Sequence, residues 1–191
     1  RLFKENPHIF KRYEYLQLMS NFLLCCCLLK NEEKFNFLVN ELKNLNNKTN
    51  EEHNYITKSI FLRTLELYHR VGRFNEANCM ASEAEKKIIS DKPFCNHYEI
   101  KYLQLLIIRA FIEYNNYNSA ISLSYKSFKI EGPSIESALF KLFEFIAHYK
   151  LNNFDNLLYS VNSWVKIIRS RRNQLPVEKV LVKFFRSVCN K

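Results

Sequence analysis

The amino-acid sequence predicts an all-α fold, a solenoid of antiparallel helix pairs. Three observations carry this. Apolar residues recur at helical spacing, as where Leu62, Leu65, Tyr68 and Val71 fall three apart and share one helix face. Turn formers are scarce, with 2 glycines and 4 prolines in 191 residues, and strand-rich domains need far more. A helix–turn–helix pattern also recurs along the chain, and repeated two-helix units bury their faces on one another.

The pattern is clearest over residues 61–88, FLRTLELYHRVGRFNEANCMASEAEKKI. Gly72 follows the first apolar stripe, where a glycine closes a helix by adopting the left-handed conformation. Phe74 opens a second helix with Ala77, Ala81, Ala84 and Ile88 on one face, and these small residues let two backbones approach closely. So short a turn makes the two helices antiparallel neighbours.

Taken in order, Asn6-Pro7 starts a helix expected over His8 to Leu29, with Phe10, Tyr13, Leu16, Phe22 and Leu23 as its core. Asn31 caps the next helix, which carries Phe35, Leu38, Leu42 and Leu45. Thr49 to Glu52 has the spacing of a capping box and begins the helix that leads into the central hairpin. Ser90 to Pro93 breaks that hairpin, and Asn96 with Glu99 offers the next cap. A helix apolar nearly all round follows, with Leu103, Ile107, Ile108 and Phe111, as expected of one packed between neighbours. Asn115-Asn116 turns the chain into a return helix from Tyr117. After Gly132-Pro133-Ser134, the helix from Ile135 carries Leu139, Leu142, Phe143 and Ile146. Asn152-Asn153 turns it again, and Leu157, Val161, Trp164 and Ile168 mark the return. Pro176 starts a last helix whose expected core stripe is Val177, Val180, Leu181, Phe184 and Val188.

The turn aromatics Phe35, Phe74, Tyr117 and Phe154 stand at intervals of 39, 43 and 37 residues, with Leu38, Ala77, Ala120 and Leu157 three residues after them. The repeats therefore fall roughly at 8–47, 50–91, 96–131 and 134–172, with a capping helix at 176–189, in one domain spanning 1–191. The first residue is Arg, so the chain is expected to be part of a longer one.

Composition excludes several functions. Hydrophobic residues make up 47%, too many for a disordered chain. With two glycines, a loop that cradles phosphates is close to excluded, and no dinucleotide, nucleotide, zinc-protease or serine-hydrolase motif occurs. The five histidines, at 8, 53, 69, 97 and 148, form no ligand set with the six cysteines at 25, 26, 27, 79, 95 and 189. Consecutive Cys25, Cys26 and Cys27 point about 100° apart on a helix, so they read as small core residues and cannot share one metal. His148 and Trp164 read as core, Trp164 under the last helix. The longest apolar run, Phe22 to Leu29, is far short of the ~20 residues of a membrane span.

The net charge is +10, and its clearest cluster is C-terminal. There Lys166, Arg169, Arg171, Arg172, Lys179, Lys183 and Arg186 face one acid, Glu178. Such a patch can meet phosphates. Its aromatic residues follow the core period, however, and are not interleaved for stacking on bases.

Gly72-Arg73-Phe74-Asn75-Glu76-Ala77 is similar to the Gly-x-Tyr/Phe-x-x-Ala turn of the tetratricopeptide repeat. Ala81 and Ala84 match that family's packing positions on the second helix, and Tyr68 its aromatic on the first. Leu65, Ile108 and Phe145 stand where the family has a small residue. The resemblance implies a right-handed superhelix of about nine helices whose first helices line a concave peptide groove. The positions it points to are Arg63, Glu66, His69 and Arg70, then Tyr102, Arg109, Glu113, Tyr149 and Lys150. Arg pairs with carboxylates and Tyr supplies rigid contact area. The expectation is a cytoplasmic interaction scaffold for another protein or peptide, neither enzyme nor metalloprotein, without a cofactor. The alternatives are RNA binding through the basic C-terminal face, and an enzyme or sensor whose active part lies upstream of Arg1.

Overall fold

A computed structural model describes residues 12–46, 49–90, 97–128, 135–170 and 175–189. Among these residues the chain is all-helical, with nine helices and no strand. They are α1 (Arg12–Leu28), α2 (Glu32–Lys43), α3 (Asn50–Val71), α4 (Phe74–Ser90), α5 (His97–Glu113), α6 (Tyr117–Phe128), α7 (Ile135–Lys150), α8 (Phe154–Arg169) and α9 (Pro176–Cys189). The expectations placed on Asn6-Pro7, His8, Phe10, Asp91 to Asn96 and Gly132 to Ser134 lie outside the described residues, as do the side chains of Ile88, His97 and Phe128.

Local chemistry sets the helix boundaries. The Asn31 side chain accepts the Lys34 N–H at 3.0 Å, and Thr49 Oγ1 accepts that of Glu52 at 3.1 Å. Each fills one of the orphan donors of a helix start. Four turns share one backbone geometry. Lys30, Gly72, Asn115 and Asn152 have φ of 53°, 78°, 64° and 54°, at intervals of 42, 43 and 37 residues. The following N–H groups, of Asn31, Arg73, Asn116 and Asn153, donate to the carbonyls of Cys26, Tyr68, Phe111 and His148 at 2.7–3.0 Å. This is the closure in which a left-handed residue lets the chain satisfy the last carbonyls of a helix.

That geometry corrects the register of the first hairpin. The helix starts are Glu32, Phe74, Tyr117 and Phe154, so Glu32 stands in line with the later aromatics. Phe35 is equivalent to Ala77, Ala120 and Leu157, and like them it is buried. The backbone turn defines the repeat, and an aromatic near it misplaces the register by three residues.

By contact the chain forms two compact units, residues 1–106 and 107–191, the division falling within α5. In the first unit α1 packs on α2 and α3, and α3 packs on α4. Leu16, Leu23, Phe35, Leu42 and Leu67 form its core. In the second, α6 packs on α7, α7 on α8, and α9 on both α7 and α8. Its centre is Phe145, edge-on to Trp164 at 5.6 Å and to Phe185 at 5.1 Å. Trp164 is fully buried, as expected of a large residue beneath the last helix. Such pairs stabilise beyond the area they bury.

Several residues expected in the core lie outside it. Tyr13, Phe22, Cys25 and Leu139 are exposed. On α9, Val177, Val180 and Phe184 are 43%, 66% and 59% exposed, while Phe185 and Glu178 are buried. α9 carries apolar residues on two stripes. Phe185 meets Phe145, and Leu181 of the stripe read from spacing packs on the same core, while Val177, Val180 and Phe184 of that stripe face out.

Candidate functional site

In the first unit α1, α3 and the N-terminal part of α5 surround a cleft of about 350 Å³. Gln17 and Asn21 come from α1, Tyr55, Lys58 and Arg63 from α3, and Glu99 and Tyr102 from α5. On α3, Tyr55, Lys58, Ser59, Leu62, Arg63 and Glu66 recur at helical spacing and so share one face. Beneath this face lies Glu66, which is buried. It accepts hydrogen bonds from Arg63 Nη1 at 2.8 Å and from the Tyr102 hydroxyl at 2.7 Å. One internal carboxylate therefore fixes a guanidinium and a phenol at the cleft. Burial, and then the bond to Glu66, push the Tyr102 hydroxyl up to about 12, so it remains a neutral donor.

A second pair closes the other end of the cleft. Lys58 Nζ donates to Glu99 Oε1 at 2.6 Å and sits 4.5 Å from the centre of the Tyr55 ring. Behind α3, the Cys27 thiol donates to the Arg63 carbonyl at 3.2 Å. Burial first, then the Glu66 charge, push this thiol up to about 12. The arrangement offers aromatic faces, two cations and backbone-sized polar rims at Gln17 and Asn21. Its polar side chains are held in ion pairs and hydrogen bonds, Arg63 and Tyr102 on Glu66 and Lys58 on Glu99. Among the described residues, no three His, Cys, Asp or Glu side chains converge as a metal site would need.

Of the expected groove residues, Arg63 and Tyr102 line this cleft. Glu66 and His69 do not present themselves to a groove. Glu66 is the buried anchor, and His69 is buried with Nε2 3.1 Å from the Leu106 carbonyl, to which it donates. Arg70 is exposed outside the cleft lining. The second unit holds the rest. Arg109 pairs with Glu113 at 2.8 Å, the Tyr149 ring lies 6.0 Å from that of Phe154, and Lys150 is exposed. No motif marks Lys58 or Tyr55, and Glu99 is marked only as a capping residue. The signal was present on α3, where Tyr55 and Lys58 continue the Arg63 stripe toward the N-terminus.

The basic residues converge on a second cleft, of about 420 Å³, between α8 and α9. Val165, Ile168 and Val182 form its floor, and Arg169, Lys179, Lys183 and Arg186 its rim. Arg186 is held by the Asn162 side-chain oxygen at 2.8 Å. Glu178 is buried, and its Oε2 accepts the Leu175 N–H at 3.1 Å. Lys166 is exposed outside this cleft, and Arg171 and Arg172 lie outside the described residues. His148 is buried, as expected of a core residue, but only half satisfied. Its Nε2 lies 3.4 Å from the Tyr125 hydroxyl, and its Nδ1 has no partner. Comparison with family models, with curated proteins and with solved structures finds no match to this chain.

Proposed function

We propose that this chain is a tetratricopeptide-like interaction scaffold, its helix pairs stacked as a right-handed superhelix, working in the cytoplasm without catalytic chemistry of its own. Its ligand is an extended segment of another protein, held in the cleft of the first unit. One observation carries the reading: three helices that are not consecutive, α1, α3 and α5, face a single cleft in which a buried carboxylate presets Arg63 and Tyr102. Preset side chains bind with less loss of freedom than mobile ones. An aromatic and an arginine at the centre of a patch are the residue types that dominate binding energies. The Lys58–Glu99 pair gives one end of the cleft a charge of each sign, which would set the direction of a bound peptide.

Selection from a displayed random peptide library tests this. Selected peptides should lose about tenfold or more in affinity to Tyr102→Ala and to Asn21→Arg. Tyr102 and Asn21 are both exposed, so the far-ultraviolet circular dichroism of both variants should match the parent. The same peptides should bind Lys179→Glu normally. The reading fails if selection yields no binder, or if both cleft variants bind as the parent does.

A further inference from the structure

The second cleft has a chemistry the first lacks. Its rim carries four cationic side chains, Arg169, Lys179, Lys183 and Arg186, and among the described residues no acid lines it. Among the described residues, Arg169, Lys179 and Lys183 have no ion-pair partner. Cations gathered without counter-charge repel one another, and a concave apolar floor between them focuses the field. The one acid of this part of the chain, Glu178, is buried, accepts the Leu175 N–H and is not among the residues lining the cleft. The cleft is thus complementary to an anion.

The floor and the spacing say which kind. Val165, Ile168 and Val182 are aliphatic, and among the described residues no aromatic lines the cleft. Nucleobases gain their sequence-tolerant affinity by stacking on aromatic rings, and nothing here supplies one. Aliphatic side chains suit this floor. Lys179, Lys183 and Arg186 stand at i, i+4 and i+7 on α9, about 6 Å and about 4.5 Å apart along the axis. Carboxylates at the same spacing on a second helix laid beside α9 would meet them one for one. We propose that the groove between α8 and α9 docks an acidic amphipathic helix of a partner protein, its apolar face on Val165, Ile168 and Val182 and its carboxylates on the rim. This site lies wholly in the second unit and does not rest on the peptide reading of the first.

The test is fluorescence anisotropy with a synthetic helical peptide of about five turns, bearing Glu at i, i+4 and i+7 and Leu on the adjoining face. It should bind at low salt and lose about tenfold or more to Lys179→Glu combined with Lys183→Glu. A peptide with the same Glu spacing and Ser for Leu should also bind about tenfold more weakly, because the floor then gains nothing. Both substituted lysines are exposed, so the variant is expected to fold; its circular dichroism and melting curve check this directly. The proposal is overturned if the Ser peptide binds as well as the Leu peptide, if the double variant binds normally, or if no binding is seen. It is also overturned if single-stranded oligouridylate binds more tightly than the Leu peptide, since the cleft would then be reading phosphates.

Discussion

Glu144 is fully buried beside Lys141, whose ammonium donates to it at 2.7 Å, and the Ser160 hydroxyl donates to its other oxygen. A buried pair of this kind is costly to break from one side and cheap to remove whole. Glu144→Leu should destabilise by about 3–5 kcal/mol, and adding Lys141→Met should restore most of that, as chemical unfolding of both variants will show. His148 adjoins this cluster, with Tyr125, Glu144 and Lys141 around it. Burial, more than any charge, holds it below its ordinary value of 6.5. The unfolded chain therefore takes up the proton at higher pH than the folded one. The stability tied to His148 is complete above about pH 6.5 and is lost as the pH falls below it toward the folded value. The melting temperature should drop between about pH 7 and about pH 5, and less so in His148→Phe, which copies Phe111 at the equivalent turn. The cysteines separate on the same principle. Cys26 and Cys27 are buried with raised thiols, while Cys25 and Cys79 are exposed. Iodoacetamide at neutral pH should label Cys25 and Cys79 in the native protein, and Cys26 and Cys27 only on unfolding, as read by mass spectrometry.

At the level of elements, the four turns are one device made from three residue types. Gly72 holds the left-handed position in the central hairpin, and Lys30, Asn115 and Asn152 hold it elsewhere. A Cβ on Gly72 would meet nothing within 4 Å, so any cost of replacing it lies in the backbone and not in crowding. Gly72→Asn should therefore be close to neutral, because Asn tolerates positive φ. Gly72→Val should cost about 1–2 kcal/mol in thermal or urea melts. The conformation of these turns also explains how much of the pattern could be read beforehand. Gly72 and the Asn-Asn pairs announce themselves, whereas Lys30 does not, and Phe35 therefore suggests a register three residues away from the true one. α9 teaches the complementary lesson. Its two apolar stripes are both plausible inward faces, and only the meeting of Phe185 with Phe145 chooses between them.

Across the whole molecule the net charge of +10 opposes compactness, since like charges repel over a Debye length. Raising NaCl from about 20 to about 200 mM should raise the melting temperature, and it should at the same time weaken the acidic helix bound between α8 and α9. A fall in melting temperature with salt would show that attractive ion pairs outweigh the repulsion. The amino-acid sequence by itself determined the all-helical class, most helix boundaries and three of the four turns. These depend on contacts within a few residues: caps, left-handed closures and the 3.6-residue period. Tertiary structure alone decided which side chains meet in the clefts. Glu66 reaches Tyr102 across 36 residues and Lys58 reaches Glu99 across 41. Those pairings turn one expected groove residue into a buried anchor and bring a lysine no motif had marked to the rim. Period places a residue on a face, but which face is covered, and by what, is set by segments far away in the chain.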